Sequence, residues 1–133
     1  MRYLLDANIF IAVISHENRV VMRRMAMLHH QIAVSTIVLH ELYFGAYNSQ
    51  RIESNLAKIT EIGLTRLEFS VDDAKCAGNI RANLRRAGKP IGTLDTLIAG
   101  QALARGLVMV TANVKEFSRV QGLQIENWTE EHA

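Results

Sequence analysis

The chain has 133 residues, of which 49% are hydrophobic, and it carries a formal net charge of +2 at pH 7. This length supports one domain with a core of its own, and the hydrophobic fraction excludes a disordered tail. The mildly basic balance permits a nucleic-acid partner without requiring one.

The hydrophobic pattern predicts strands that alternate with helices along a single domain, residues 1–133. Strands are predicted at residues 3–5, 31–34, 64–69, 107–110 and 124–128, and helices at residues 9–15, 18–30, 37–48, 50–62, 70–88 and 94–105. Such alternation is typical of an α/β fold with a mainly parallel sheet of about five strands and helices on both faces. The last strand is expected at an edge of this sheet.

The cellular compartment is indicated by cysteine usage and by the start of the chain. Cys76 is the only cysteine, so an internal disulfide cannot form and a reducing compartment is expected. Asp6 interrupts the first apolar run too early for a secretory signal. No uncharged apolar run approaches the roughly 18 residues that a membrane span needs. We therefore expect a cytoplasmic protein without a membrane partner.

The first predicted strand ends at an acid, Asp6, before a helix that begins near Asn8. In open parallel sheets, ligands bind beyond the carboxyl ends of the strands, which favours a functional carboxylate. Asp is also a favoured helix cap, so this stretch alone leaves both interpretations open. Other acids in equivalent places of the chain would favour the functional carboxylate over the helix cap alone.

Two further acids lie on apolar faces of predicted helices. Glu41 shares a face with Ile37 and Phe44, where an unpaired charge is costly, although a Glu at the rim of the core fits the same pattern. Asp95 lies one turn before Ile98, but the helix dipole also favours an acid in a first turn. A polar turn at residues 111–113 follows the strand at 107–110. It is therefore expected at the carboxyl edge of the sheet, as Asp6 is.

If Asp6, Glu41 and Asp95 converge, they need a cation, because neighbouring carboxylates raise one another's pKa and share a proton. An all-oxygen cluster suits Mg²⁺ or Mn²⁺. Such an ion activates water and stabilises charge on a phosphodiester.

Four segments, in order along the chain, resemble the motifs of PIN-domain ribonucleases, and most closely those of VapC toxins from bacterial toxin–antitoxin pairs. They are LLDAN at residues 4–8, STIVLHELYFG at 35–45, IGTLDTLIA at 91–99 and VTANVKEF at 110–117. The resemblance implies a PIN-like fold and a Mg²⁺-dependent endoribonuclease, with Mn²⁺ as the alternative ion and tRNA among the candidate substrates. It also implies a homodimer and inhibition by a VapB-type antitoxin that places an Arg in the acidic site.

The same resemblance assigns roles to individual residues. Asp6, Glu41 and Asp95 match the family's catalytic acids; Asp6 and Asp95 are expected to bind the metal directly, and Glu41 to hold a metal-bound water or a second ion. Thr111 is expected to orient a water or a phosphate oxygen.

Two positions depart from the family pattern. Ala7 replaces a hydroxyl residue that is common beside the first acid, and Asn113 stands where many members carry a fourth acid. An amide can coordinate or orient water but adds no negative charge, so weak metal binding is expected. Glu116 either substitutes in part for the missing acid or caps or pairs on a surface helix.

Contacts to RNA and to protein partners are suggested by two other patterns. Arg81 and Arg85 share one helix face and are candidate contacts for RNA phosphates, although a solvated charged face is the plainer interpretation. An apolar set is expected to be mostly core, with some members forming a groove for an antitoxin helix or a second subunit. Its members are Met22, Met25, Met27, Phe44 and Tyr47.

Two other functional classes remain open on the sequence. A haloacid dehalogenase-like phosphatase also places an Asp after its first strand, but its second Asp is replaced here by Asn8. A PIN-like binding module without turnover is the non-enzymatic alternative.

Overall fold

The structure is a computed structural model that describes residues 1–15 and 17–130, and its sheet runs parallel throughout those residues. The five strands lie in the order β3-β2-β1-β4-β5. The elements in chain order are β1 Tyr3–Leu5, α1 Ala7–Ile14, α2 Arg19–Leu28, a 3₁₀ turn His29–Gln31, β2 Ile32–Ser35, α3 Thr36–Tyr47, α4 Ile52–Thr60, β3 Thr65–Leu67, α5 Val71–Arg86, α6 Thr93–Ala104, β4 Val108–Val110, α7 Val114–Phe117 and β5 Ile125–Glu126.

This architecture confirms the predicted α/β class, the parallel sheet and the edge position of the last strand. The predicted bounds differ from the observed ones by at most two residues, and caps explain part of the difference. The Ser35 hydroxyl accepts a hydrogen bond from the Ile37 amide, so α3 starts one residue earlier than the apolar periodicity indicates. None of the described helices is both long enough and apolar enough to span a membrane.

The central strand β1 is buried along its whole length. Leu4 and Leu5 are completely inaccessible to solvent, as expected for a parallel strand that is covered on both faces. Trp128, which follows β5, packs its ring edge-on against Tyr3 at a centroid distance of 5.0 Å and donates its indole N–H to Glu126. The segment after the last strand therefore completes the core beside the first one.

Helices α5 and α6 are fixed to each other at one end by an ion pair between the buried Asp73 and Arg105. Asp73 is 1% exposed, and it accepts hydrogen bonds from both Nε and Nη2 of Arg105, at 3.2 and 3.0 Å. Gln101 adds a third donor to the same carboxylate, and Ser70 forms a reciprocal capping box with it. This network joins the first turn of α5 to the C-terminal end of α6.

The same two helices approach closely at a glycine. A Cβ on Gly100 would lie 2.5 Å from the Cβ of Ala77, closer than real side-chain atoms come. Two small residues thus let the helix backbones pack together without a gap. The contact sets the position of α6, whose first turn carries Asp95.

Candidate active site

The carboxyl ends of β1 and β4 lie side by side at the centre of the sheet. Leu5 pairs with Val110 in the parallel register, and the Asp6 amide donates to the Val110 carbonyl at 2.9 Å. The next residues along the two strands, Asp6 and Thr111, therefore occupy neighbouring places at the edge where ligands bind in parallel sheets.

Both oxygens of the Asp6 carboxylate accept a hydrogen bond. Oδ1 accepts from the Ala7 amide at 2.7 Å, and Oδ2 accepts from the Thr111 hydroxyl at 2.9 Å. The side chain is only 4% exposed, and burial raises its pKa while the two hydrogen bonds act to lower it. Asp6 caps α1, which is one of the two roles predicted for it from the sequence. The hydrogen bond from Thr111, which follows β4, fixes the orientation of its carboxylate.

Glu41 and Asp95 bring two more carboxylates toward Asp6. They belong to the middle of α3 and the first turn of α6, and both are half-buried. Burial raises the pKa of each, and the negative charge of Asp6 raises both further. Asp95 also raises the pKa of Glu41, so the three predicted acids converge electrostatically. Within the described residues, neither Glu41 nor Asp95 accepts a hydrogen bond or forms an ion pair.

Glu116 is a fourth carboxylate near these acids, and two alternative roles are predicted for it from the sequence. Its charge raises the pKa of Asp95, which puts it within reach of the cluster. The Asn113 side-chain amide donates to Glu116 Oε2 at 2.8 Å. The Asn113 side chain thus holds the longer acid that lies one helical turn further on. The three-residue spacing between Asn113 and Glu116, about one helical turn, is the sequence feature that indicates this contact.

Thr111 connects two parts of the site by hydrogen bonds. Its side chain is fully buried, donates to Asp6 and accepts from the Asn113 amide at 3.0 Å. A hydroxyl engaged in this way holds the Asp6 carboxylate in place. It also connects the first acid to the turn that carries Asn113.

The chemistry of the donor set fits a hard divalent cation. All four groups are carboxylates, and two of them are half-buried, mutually repelling and without hydrogen-bond donors in the described residues. In the side-chain conformations present, no three acidic, His or Cys groups of the described residues are already gathered as a ligand set. The side chains of Glu41 and Asp95 have no hydrogen bond to break before they turn toward an ion.

A basic cavity adjoins the first turn of α6. It has a volume of about 310 Å³ and contains both predicted RNA contacts, Arg81 and Arg85, on one wall. Its other residues are Leu84, Pro90, Ile91, Thr93 and Thr96. Thr93 and Thr96 belong to the first turn of α6, the turn that also carries Asp95.

An apolar groove adjoins the cluster at Glu41. It has a volume of about 330 Å³, and its lining comes from α1, α3 and α4: Ile11, Ile14, Ser15, Glu41, Leu42, Gly45, Ala46, Asn55, Lys58 and Ile59. The residues that the sequence suggested for a groove are not among them. Met25 packs against the core, whereas Met27, Phe44 and Tyr47 are exposed, and Met22 is half-buried elsewhere on α2.

Comparison with known proteins finds similarity along nearly the whole chain. The PIN domain family matches residues 3–123, a range that includes all four carboxylates. The tRNA(fMet)-specific endonuclease VapC of Shigella flexneri is 41% identical over 132 residues, covering 97% of this chain and 99% of that protein.

Solved structures agree with this result. The DNA-bound VapBC from Salmonella typhimurium contains a chain that matches with a TM-score of 0.92 and 38% identity, over 96% of this chain and 98% of that one. VapBC2 from Rickettsia felis, bound to a DNA fragment from their promoter, matches with a TM-score of 0.89 and 36% identity, over 96% and 99% of the two chains.

The raised pKa values make a prediction for the metal-free protein. A carboxyl group whose pKa is raised on folding destabilises the folded state as pH rises from its unfolded value through its folded one. Replacing Glu41 by Gln should therefore raise the free energy of unfolding at pH 7 by on the order of 1 kcal/mol. Denaturant unfolding at pH 4 and pH 7 measures the effect, which should be larger at pH 7.

The matched control is Glu68→Gln, since Glu68 is an exposed acid just after β3. It should change stability little at either pH. An equal or lower stability of Glu41→Gln at pH 7 would show that the carboxylates do not repel one another in solution.

Proposed function

Because this chain belongs to the PIN-domain family, and within it to the VapC ribonucleases, we propose that it is the toxin of a toxin–antitoxin pair. Its activity is endoribonucleolytic hydrolysis of RNA phosphodiester bonds. The observation that carries the proposal is the convergence of Asp6, Glu41 and Asp95 at the carboxyl edge of the sheet. The charge of Asp6 raises the pKa of both other acids, and the charge of Asp95 raises that of Glu41. Neither a phosphatase of the dehalogenase type nor a module without turnover has comparable support, since the matched relatives are nucleases.

PIN-domain nucleases use divalent metal ions, and Mg²⁺ is the ion proposed here, with Mn²⁺ as its substitute. When bound, the ion activates water and neutralises charge on the phosphodiester. Asp6 and Asp95 would hold it, because they lie at the strand end and the helix start nearest the crevice. Glu41, with a longer side chain from α3, would hold a water or a second ion.

Glu116 completes the set as the fourth carboxylate. Asn113 holds it by the side-chain hydrogen bond, and Thr111 holds both the Asn113 amide and Asp6. A chain of three hydrogen bonds thus aligns the first acid with the last one. Thr111 and Asn113 act as positioning residues and do not need to touch the RNA.

The acids should be indispensable for cleavage but not for folding. Asp6→Asn keeps the shape of the side chain but removes its charge, and it should lower the cleavage rate by about 100-fold or more. Glu116→Gln should lower it by about 10–100-fold, the range seen when the surroundings of a metal site are disturbed. The measurement is the initial rate of cleavage of a purified tRNA in Mg²⁺, with EDTA as the blank.

Asp72→Asn is the control, since Asp72 is an exposed acid in the first turn of α5 and should leave the rate unchanged. Full cleavage by Asp6→Asn would contradict the proposal. Unchanged cleavage by Glu116→Gln would remove Glu116 from the site and leave the other three acids in place.

A tRNA is the proposed substrate class, supported by the specificity for tRNA(fMet) of the Shigella flexneri relative. A substrate of this kind places the activity in the cytoplasm. Sequencing of RNA ends after induction of the wild type, beside Asp6→Asn, identifies the target. New ends that occur only with the wild type and map to tRNA are the expected result, and ends confined to other RNAs would contradict this assignment.

Arg81 and Arg85 are proposed to bind phosphates of the RNA on one side of the cut. Their cavity reaches Thr93 and Thr96 in the first turn of α6, the turn that carries Asp95. For a site that neutralises phosphates, log K falls linearly with log salt. Arg85→Ala should lower the magnitude of the salt slope of RNA binding by about one. Binding of tRNA to Asp6→Asn, measured by fluorescence anisotropy between low and physiological salt, gives the slope without cleavage.

The control for this experiment is Arg66→Ala. Arg66 is exposed on β3, the edge strand at the far side of the sheet from β4 and β5. It should leave the slope unchanged. Equal slopes for the two variants would mean that Arg85 is part of a merely solvated face.

A VapB-type antitoxin is the proposed protein partner, supported by the VapBC complexes among the matched structures. An amphipathic helix of the antitoxin would lay its apolar face in the groove beside Glu41, with Ile11, Leu42 and Ile59 as the contacts. An antitoxin Arg would then reach the carboxylates directly, since Glu41 belongs to both the groove and the cluster.

Ile11→Asp tests this docking, because Ile11 is 50% exposed and its replacement should not unfold the protein. We expect neutralisation by the cognate VapB-type antitoxin to weaken by at least about tenfold, while cleavage of tRNA stays the same. Val71→Asp is the control, at a residue that is 72% exposed on α5. Full neutralisation of Ile11→Asp would place the antitoxin elsewhere.

A homodimer is proposed as well, and the exposed apolar side chains of Met27, Phe44 and Tyr47 support a covered surface. A mass corresponding to one chain at high protein concentration would contradict it.

A further inference from the structure

Gly92 stands at the N-cap of α6, three residues before Asp95, in a backbone conformation that any residue can adopt. Its φ is −55° and its ψ is 149°, so the left-handed region does not explain the glycine. It also provides no side-chain cap for the helix, a role that Ser, Thr, Asp or Asn would fill. The reason for a residue without a side chain must therefore lie in the space around it.

The carboxylate of Asp95 occupies that space. A Cβ built on Gly92 would lie 3.1 Å from Asp95 Oδ2 and 3.7 Å from its Cγ. The first distance is shorter than nearly all real contacts of a Cβ, so one of the two groups would have to move by a few tenths of an ångström.

The backbone of Gly92 is held in place and cannot be the group that moves. Its carbonyl accepts hydrogen bonds from both the amide and the hydroxyl of Thr96, each at 2.9 Å. The carboxylate of Asp95, in contrast, has no hydrogen-bond donor in the described residues. A side chain at position 92 would thus displace the carboxylate and leave the helix where it is.

We propose that Gly92 is a positioning residue for the metal ligand Asp95, an inference that rests on the proposed function. The missing Cβ lets the carboxylate lie against the start of α6, within electrostatic reach of Asp6 and Glu116. Mg²⁺ accepts little deviation from an octahedron with ligands at about 2.0–2.1 Å, so a displacement of a few tenths of an ångström weakens binding.

The test is Gly92→Ala, measured first by calorimetric titration of the metal-free protein with Mn²⁺. We expect the affinity to fall by about tenfold, the lower end of the range for disturbed metal surroundings. The melting temperature of the metal-free variant should stay the same or rise, because Ala restricts the unfolded chain at a place where its conformation is allowed. Gly78→Ala is the matched control, since a Cβ at Gly78 meets nothing within 4 Å.

A double-mutant cycle shows whether the effect passes through Asp95. In an Asp95→Asn background, Gly92→Ala should cause little further loss of Mn²⁺ affinity, because the group that it displaces is no longer a charged ligand. An additive loss, an unchanged affinity of Gly92→Ala, or a loss of melting temperature in parallel with affinity would each overturn the proposal. Failure of the wild type to bind Mn²⁺ or to cleave RNA would instead overturn the proposed function.

Discussion

The two hydrogen bonds that hold the Asp6 carboxylate are the constraint on which the rest of the site depends. One comes from the helix that Asp6 caps and the other from Thr111, across the register of β1 and β4. A short chain segment alone could not fix both oxygens, because the second donor is 105 residues away. Only a parallel pair of strands in the middle of the sheet brings the two ends together, so the fold orients the carboxylate before any ligand arrives.

The carboxylates of the site lower the stability of the folded chain, and this effect is confined to the region around them. Glu41 and Asp95 are half-buried carboxylates whose pKa values are raised by burial and by the charges of neighbouring acids. No donor in the described residues offsets this burial. The opposite arrangement exists at the far end of α6. There burial acts to raise the pKa of Asp73, but hydrogen bonds from Arg105 and Ser70 outweigh it and lower the pKa overall. The same helix is anchored at one end and electrostatically strained at the other, as expected of a functional site.

Local signals in the sequence were enough for the order of elements and for three of the acids. Alternating strand and helix periods predict the parallel sheet, and an acid on an apolar stripe, such as Glu41, stands out against its neighbours. The partners of Asp73 did not stand out in the same way. An acid in a first turn predicts a helix start, and its ion pair with Arg105 spans 32 residues that only the folded chain brings together. No pattern in the sequence shows that Thr111 is fully buried, because its burial depends on the pairing of β4 with β1 in the folded chain.

Asn113 adds no charge of its own but holds an acid that does. Its side-chain amide donates to the carboxylate of Glu116, one turn further on, and the charge of Glu116 raises the pKa of Asp95. Four negative charges at one edge of the sheet would repel an RNA phosphate unless a cation lies between them. If the chain has the proposed function, binding of the RNA therefore depends on binding of the metal. On the proposed function, Arg81 and Arg85 would attract RNA phosphates without neutralising the carboxylates. Neither arginine forms an ion pair with an acid in the described residues. Separate places for the two kinds of charge leave the acids available to the ion.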